Sequence, residues 1–405
     1  MTDPKLPSAA TVFASEEPCL NRKIRYNLEQ YAPHNSQTFG NSGSDIPFWG
    51  FEDPLRDLLL NDSRYRSSAL LPNERPTSKL EFRLNQLTTE LRESCTPGSS
   101  SRQELTFADA NYTTVFSVQG FLSLVGLFFQ RRHSQWPILH WPTFNLEKVA
   151  LPLLLAVALS GAAFSRPEDV VEVDPIFAKS FYQTAEAYIF HHLDVLGLPA
   201  DWTRSVLRDD AMEICQAALL MEVLQKSVND IEIRQRMLTK RHPALVAAVR
   251  SLGILGTRHR DCTREPTWEL FIQTELRIRL VAWTFHADAL PPLFYNQPPS
   301  MMLSEMTGDL PCDEELWSTE TEASFKEKWR GTNTIFLPHL QRLVTDLLDD
   351  SGEDKRSRYQ SGLSGNHLNM VILALQPVIF NLRTILPIQS VLSMTLRALQ
   401  RWWSA

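Results

Sequence analysis

Residues 128–165 read FFQRRHSQWPILHWPTFNLEKVALPLLLAVALSGAAFS, and this stretch decides the fold. An apolar helix ends in the basic turn of Arg131, Arg132 and His133, a corner carrying Pro137 and Pro142 follows, and a second apolar segment begins at Leu151. Proline fixes φ and cannot continue a helix, so the corner holds the two apolar segments at a set angle. Leu151 to Phe164 is apolar nearly all round, a pattern that a helix tolerates only when every side is covered. Neighbouring helices are therefore expected to pack around the corner.

Working outward, Ser117 to Arg132 places Val118, Phe121, Leu122, Val125, Phe128 and Phe129 on one broad helical face. Further helical periodicity is read at Pro175–Leu193, Asp209–Gln225, Pro243–Leu255, Thr267–Ala289, Leu337–Leu348, Asn366–Leu386 and Ser390–Trp403. Nothing alternates with the period of a strand, so the expected class is all-α: a large multi-helix domain over 111–348, a Gly/Ser-rich flexible loop over 349–365, and a C-terminal helical part of the same domain over 366–405. On the helix Thr267–Ala289, Glu275 and Arg279 stand four residues apart, which predicts an ion pair on the helix surface or at its edge.

Residues 1–110 are rich in Pro, Ser, Asn and acidic residues and show no sustained helical period, so a largely disordered leader is expected there. Two pieces of it differ. Asp45–Asp62 interleaves Phe48, Trp49, Phe51 and Leu58–Leu60 with five acids, which suits either an acidic docking segment or an extension packed on its own domain. Thr77–Glu93 carries Leu80, Leu84, Leu87 and Leu91 at helical spacing and predicts a short surface or coiled helix.

Composition narrows the function. With 43% hydrophobic residues the chain can build a sizeable core, and a net charge of −7 from 40 basic and 47 acidic residues disfavours a surface dedicated to phosphate backbones. The basic pairs Arg131/Arg132 and the run Arg236, Lys240, Arg241, His242 read as solvated helix ends. Cys19, Cys95, Cys215, Cys262 and Cys312 lie far apart and form no zinc or redox spacing. His133 and His140 read as packed corner residues, and His259 with Cys262 supplies at most two of the four ligands of a structural zinc. Nucleophile elbows, zinc-protease helices and phosphate loops are all missing, so no catalytic residue and no cofactor site is assigned. No secretory signal or membrane-length apolar run is visible in the sequence.

Three blocks carry a family likeness. Phe129, His133, Pro137, Leu139, His140, Pro142, Thr143 and Phe144 resemble the aromatic-x-x-x-His-x-x-x-Pro-x-Leu-His-x-Pro-Thr-Phe corner of the fungal-specific transcription factor regulatory domain, the middle homology region. Glu275, Arg277, Arg279, Phe285 and Asp288 resemble that family's Glu-x-Arg-Arg-Arg-x-Trp-Trp-x-x-Phe-x-x-Asp helix, although Ile278, Val281 and Ala282 stand where Arg and the Trp pair are usual. Leu310, Pro311, Cys312 and Trp317 resemble its Leu-Pro-Cys-x-x-x-x-Trp closing loop.

The resemblance implies a nuclear transcriptional regulator of a metabolic or secondary-metabolite gene set, working with other transcription factor subunits or coactivators and a small-molecule effector. It also implies a zinc-binding DNA-reading module, yet no zinc-cluster or finger spacing occurs here, so DNA contact is expected only through a missing module or a partner. Two alternatives stand beside this reading: a DNA-binding-deficient modulator acting by heterodimerisation, and a cluster-associated enzyme without a recognised motif.

Overall fold

A computed structural model describes residues 78–94, 115–164, 175–196, 210–226, 230–259, 266–331, 337–349, 363–383 and 387–403, all within one compact unit, Pro47–Ala405. The docking-segment reading of Asp45–Asp62, most of the 1–110 leader and most of the 349–365 loop lie outside the described residues. Among the described residues the structure is helical and contains no strand, in agreement with the all-α expectation. No described helix is long and apolar enough to cross a membrane.

The corner is built as its sequence demands. Helix α1 spans Ser78–Ser94 and α2 spans Val118–Leu127, with Ser117 Oγ accepting the Gly120 N–H at 3.0 Å as its N-cap. The chain then widens into a π-helical turn, Phe128–Arg132, passes Pro137 and a 3₁₀ turn at Trp141–Thr143, and enters α3, Leu151–Ala162, through Pro152 in its first turn. Every residue from Pro152 to Ala162 is buried. Gly161 makes this possible, because a Cβ there would lie 1.9 Å from the Leu124 carbonyl oxygen, so α2 and α3 cross at backbone contact.

Around α3 lie α4, Pro175–Leu196, and α5, Ala211–Lys226, and α5 also packs on α4 and is buried from Ile214 to Lys226. Helix α6, Ile231–Arg236, runs through a second π turn, Met237–Arg241, into α7, His242–Ser251. The longest helix, α8, Trp268–Phe294, packs on α5 and on α12, Gly365–Leu382. Short helices α9, Glu314–Trp317, and α10, Glu322–Gly331, cover the start of α8 with a satellite core of Phe271, Leu316, Trp317 and Phe325. Helices α11, Leu340–Leu348, α12 and α13, Ile388–Trp403, pack on one another.

Helix α1 departs from the expected surface helix. Leu80, Leu84, Leu87 and Leu91 are all buried in the main core, α1 packs on α4 and α2, and Tyr188 donates to Glu90 at 2.6 Å. Its leucine seam is taken up by its own domain, a long-range contact that helical spacing alone does not specify.

Candidate functional site

The residues of the three sequence blocks converge on Arg279. The tight turn after the first π-helical segment, in which Ile138 N–H bonds to Trp136 O at 2.8 Å, aims the Pro137 carbonyl at α8, where Arg279 Nη1 donates to it at 3.1 Å. Arg279 Nε donates to Glu275 Oε1 at 2.7 Å, Nη2 donates to the Cys312 carbonyl at 3.0 Å, and Nη1 stands 3.4 Å from Glu314 Oε2. The guanidinium carbon lies 4.3 Å from the centre of the Trp317 ring, and His140 stacks edge-on to that ring at 4.7 Å. One planar fork thus ties the corner, the long helix and the closing loop together, a task that suits arginine and that a lysine point charge cannot perform.

Glu275 completes the clasp. Its Oε1 also accepts the Cys312 N–H at 2.8 Å, and its Oε2 accepts His259 Nε2 at 2.6 Å. The other face of His259 meets Asp309, through the backbone N–H at 2.8 Å and Nδ1 at 3.2 Å. Burial alone would raise the pKa of Glu275, but the Arg279 charge and the His259 hydrogen bond bring it down to about 2. Burial opposes protonation of His259, and its bonds to Asp309 and Glu275 override this and lift it to about 9. Both rings nitrogens of His259 therefore donate, and the site is a closed set of alternating charges.

The prediction of a surface ion pair is corrected here. Glu275 is 0% exposed and Arg279 2% exposed, because the corner and the loop after Leu310 fold over that face of α8. The i,i+4 spacing shows that two side chains meet, and only the folded chain shows what covers them.

The remaining block residues divide. His133 is buried and donates from Nε2 to the Leu139 carbonyl at 2.6 Å, burial pushing its pKa down. His140 Nδ1 bonds to Thr143 Oγ1 at 2.9 Å, and burial lowers its pKa to about 4. Phe129 stacks on Trp141 at 4.5 Å and on Phe144 at 5.2 Å beside Pro142, which closes the corner. Pro311 offers its carbonyl to His367 Nε2 at 2.7 Å, linking α12 to the same loop. Phe285 and Leu310 are core residues, and Arg277 is half-buried and outside the clasp.

Asp288 belongs to a second cluster. It accepts His242 Nε2 at 2.8 Å and the Ser300 and Met301 N–H groups at 2.9 and 2.6 Å, while His242 Nδ1 meets Glu222 at 2.9 Å and Lys226 pairs with Glu222. Burial opposes the His242 charge, yet Glu222 and Asp288 raise its pKa to about 9. Nearby, Glu186, 1% exposed, receives Arg236 Nε at 2.9 Å and Arg241 Nε at 2.8 Å. The reading of Arg236, Arg241 and His242 as solvated helix ends is overturned by these partners, and Arg131 and Arg132 likewise turn inward, Arg131 Nη1 donating to the Phe164 carbonyl at 2.7 Å and Arg132 pairing with Gln135.

His259, Asp309, Glu314, His367, Glu222 and Glu186 were not legible as site residues. Apart from Lys226, which pairs with Glu222 four residues away, the partners named above lie 16 to 56 positions away. Every oxygen of Glu275 and Asp288 is engaged by protein donors, which leaves neither carboxylate free for acid–base work or metal ligation. No group of three or more His, Cys, Asp or Glu able to hold a metal is found among the described residues. Cys215 is buried and its thiol pushed up to about 12, and Cys312 is also raised by burial and by Glu275, so neither thiol is activated. A crevice beside Asp309, walled by Ile278, Val281, Met306, Leu340 and Met370, measures about 10 Å³, room for one water.

Among the described residues the fold and the site define an all-helical scaffold whose separate sequence blocks are joined by an internal ionic clasp. The chain belongs to the family described as the fungal specific transcription factor domain, which matches residues 125–404. Similar curated proteins include Transcription factor verF of Penicillium polonicum, 24% identical over 329 residues covering 73% of this chain and 44% of the relative. The Nicotinate catabolism cluster-specific transcription factor of Emericella nidulans is 25% identical over 57% of this chain and 26% of its own length. Zinc finger protein zas1 of Schizosaccharomyces pombe is 22% identical over 52% of this chain and 23% of its own length. The chain spans less than half the length of these relatives. No solved structure gives a significant match.

Proposed function

We propose that this chain is the regulatory part of a nuclear transcription regulator that controls a metabolic or secondary-metabolite gene set and reads DNA through a module or partner outside the residues given. The observation that carries the reading is the Arg279 clasp: it uses the family blocks to fix helices against one another, and it engages both oxygens of Glu275 with protein donors. That favours a scaffold for partner subunits or coactivators over an enzyme. The acidic balance of −7 and the absence of zinc-ligand spacing support indirect DNA contact. The relative named for nicotinate catabolism lends weight to a metabolic gene set.

The crevice beside Asp309 admits about one water, so a small-molecule effector would enter there only by parting the helices that wall it. Two experiments test the reading. Fused to a heterologous DNA-binding domain in a fungal host, the chain should change reporter transcription, and the pure chain should show no sequence-specific retention of DNA in a gel shift. A fusion without effect on the reporter, or specific retention of DNA by the chain alone, overturns it.

A further inference from the structure

Helix α13 is locked to the domain along one side and presents leucines to solvent along another. Val391 and Ala398 are buried, and α13 packs on α11 and α12. Trp402 Nε1 donates to the Leu368 carbonyl at 2.8 Å, and Arg401 Nη1 donates to the Leu347 and Asp349 carbonyls at 2.7 and 2.8 Å. Leu392 and Leu396, four residues apart, are 56% and 50% exposed, beside the exposed Gln389, Ser393 and Arg397. Residues four apart lie one above the other on a helix, so the two side chains make one apolar strip.

Charge sets this part of the chain apart. From Leu363 to Ala405 there is no Asp or Glu, while Arg383, Arg397 and Arg401 are present, in a chain whose formal charge is −7. The strip therefore sits on a helix that carries positive charge alone. A second copy of the same face would meet it with like charge, which disfavours self-pairing.

Pro47–Asp62, PFWGFEDPLRDLLLND, has the complementary character. Glu52, Asp53, Asp57 and Asp62 stand against the single Arg56, and Leu55, Leu58 and Leu59 recur at i, i+3 and i+4, the anchor spacing with which an amphipathic segment enters an apolar surface. Asp53 followed by Pro54 is a helix-start signature directly ahead of those leucines. We propose that the outer face of α13 is the docking site of Pro47–Asp62 of the same chain, its leucines against Leu392 and Leu396 and its carboxylates towards Arg397. Attachment to the same chain gives this segment an effective concentration that a separate acidic partner lacks.

The test titrates a fluorescent peptide of residues 47–62 into the full 405-residue chain, as wild type and as W49A/L58A/L59A, which disarms the segment and leaves α13 intact. The peptide is expected to bind the disarmed chain at least about tenfold more tightly than the wild type, where the attached segment competes. Adding L392D/L396D to the disarmed chain should weaken binding at least about tenfold, and raising the salt should weaken it as well. Equal affinity for wild type and disarmed chains overturns docking within the chain and leaves the face to a separate acidic partner. No binding by the disarmed chain, or binding untouched by L392D/L396D, overturns the site itself. Should L392D/L396D lose its helical circular dichroism or cooperative melt, R397E takes its place, and an affinity no weaker than that of the disarmed chain overturns the proposal.

Discussion

Arg279→Ala deletes a guanidinium whose hydrogen-bonding groups all meet acceptors supplied by the protein. Glu275 would remain fully buried with His259 as its one charged partner, and the Pro137 and Cys312 carbonyls would lose their donor. Removing one member of a buried ion pair costs about 3–5 kcal/mol, because the other charge is left uncompensated. The lost contact with Trp317 acts through the same group, so it is counted within that range. With an unfolding entropy of about 2.1 cal/mol/K per residue over the matched residues 125–404, the loss corresponds to a drop in melting temperature of roughly 5–9 °C. Thermal and guanidinium melts of the full chain, followed by circular dichroism, measure it. Arg279→Lys should fall between, losing about 1–3 kcal/mol for unmet carbonyls while keeping a charge beside Glu275. An Arg279→Ala chain within about 1 kcal/mol of the wild type would refute the clasp as the joint between the three blocks.

Stability should peak near pH 6.5 and decline on both sides. His242 and His259 titrate near 9 when folded and near 6.5 when unfolded, so their contribution is complete below 6.5 and lost as pH rises to 9; His140 and His286, lowered to about 4 by burial, cost stability as pH falls from 6.5 towards 4. Denaturant midpoints from pH 4 to 9 report this, and H242Q should flatten the alkaline limb. Gly161→Ala places a Cβ 1.9 Å from the Leu124 carbonyl oxygen, which forces α2 and α3 apart; a loss of at least about 1–3 kcal/mol is expected in a denaturant melt. Glu186→Ala strips Arg236 and Arg241 of their shared carboxylate and leaves Gln225 Nε2 without that acceptor, so hydrogen exchange across 231–241 should quicken and stability fall by about 1–3 kcal/mol.

Much of the architecture is legible in the sequence alone. The apolar run at 151–164 announced a central buried helix, observed at Leu151–Ala162, and the 3.6-residue period located α2, α4, α5, α8, α11, α12 and α13 to within a few residues, because periodicity reports which face a helix buries. Boundaries moved where a cap or a π turn intervened: α2 gives way to a π turn at Phe128, and α8 runs on past Ala289 to Phe294. The blocks at 133–144, 275–288 and 310–317 were recognised one by one, and their residue types specified packing and charge.

What the folded chain alone decided is who meets whom. Glu275 and Arg279 looked like a surface pair since spacing along a helix carries no record of what lies over it. Asp288 sits in the same motif as Glu275, yet thirteen residues along α8 it faces His242, whose other ring nitrogen meets Glu222, instead of the clasp. Helix α1 looked like a surface helix, and its leucines proved to be core because α2 and α4 present a face that fits them. Local sequence sets helices, turns and amphipathic stripes through short-range sterics and hydrophobic period. Burial, and with it the contacts of Arg279 with Pro137, Cys312 and Trp317, comes from contacts between segments far apart in the chain.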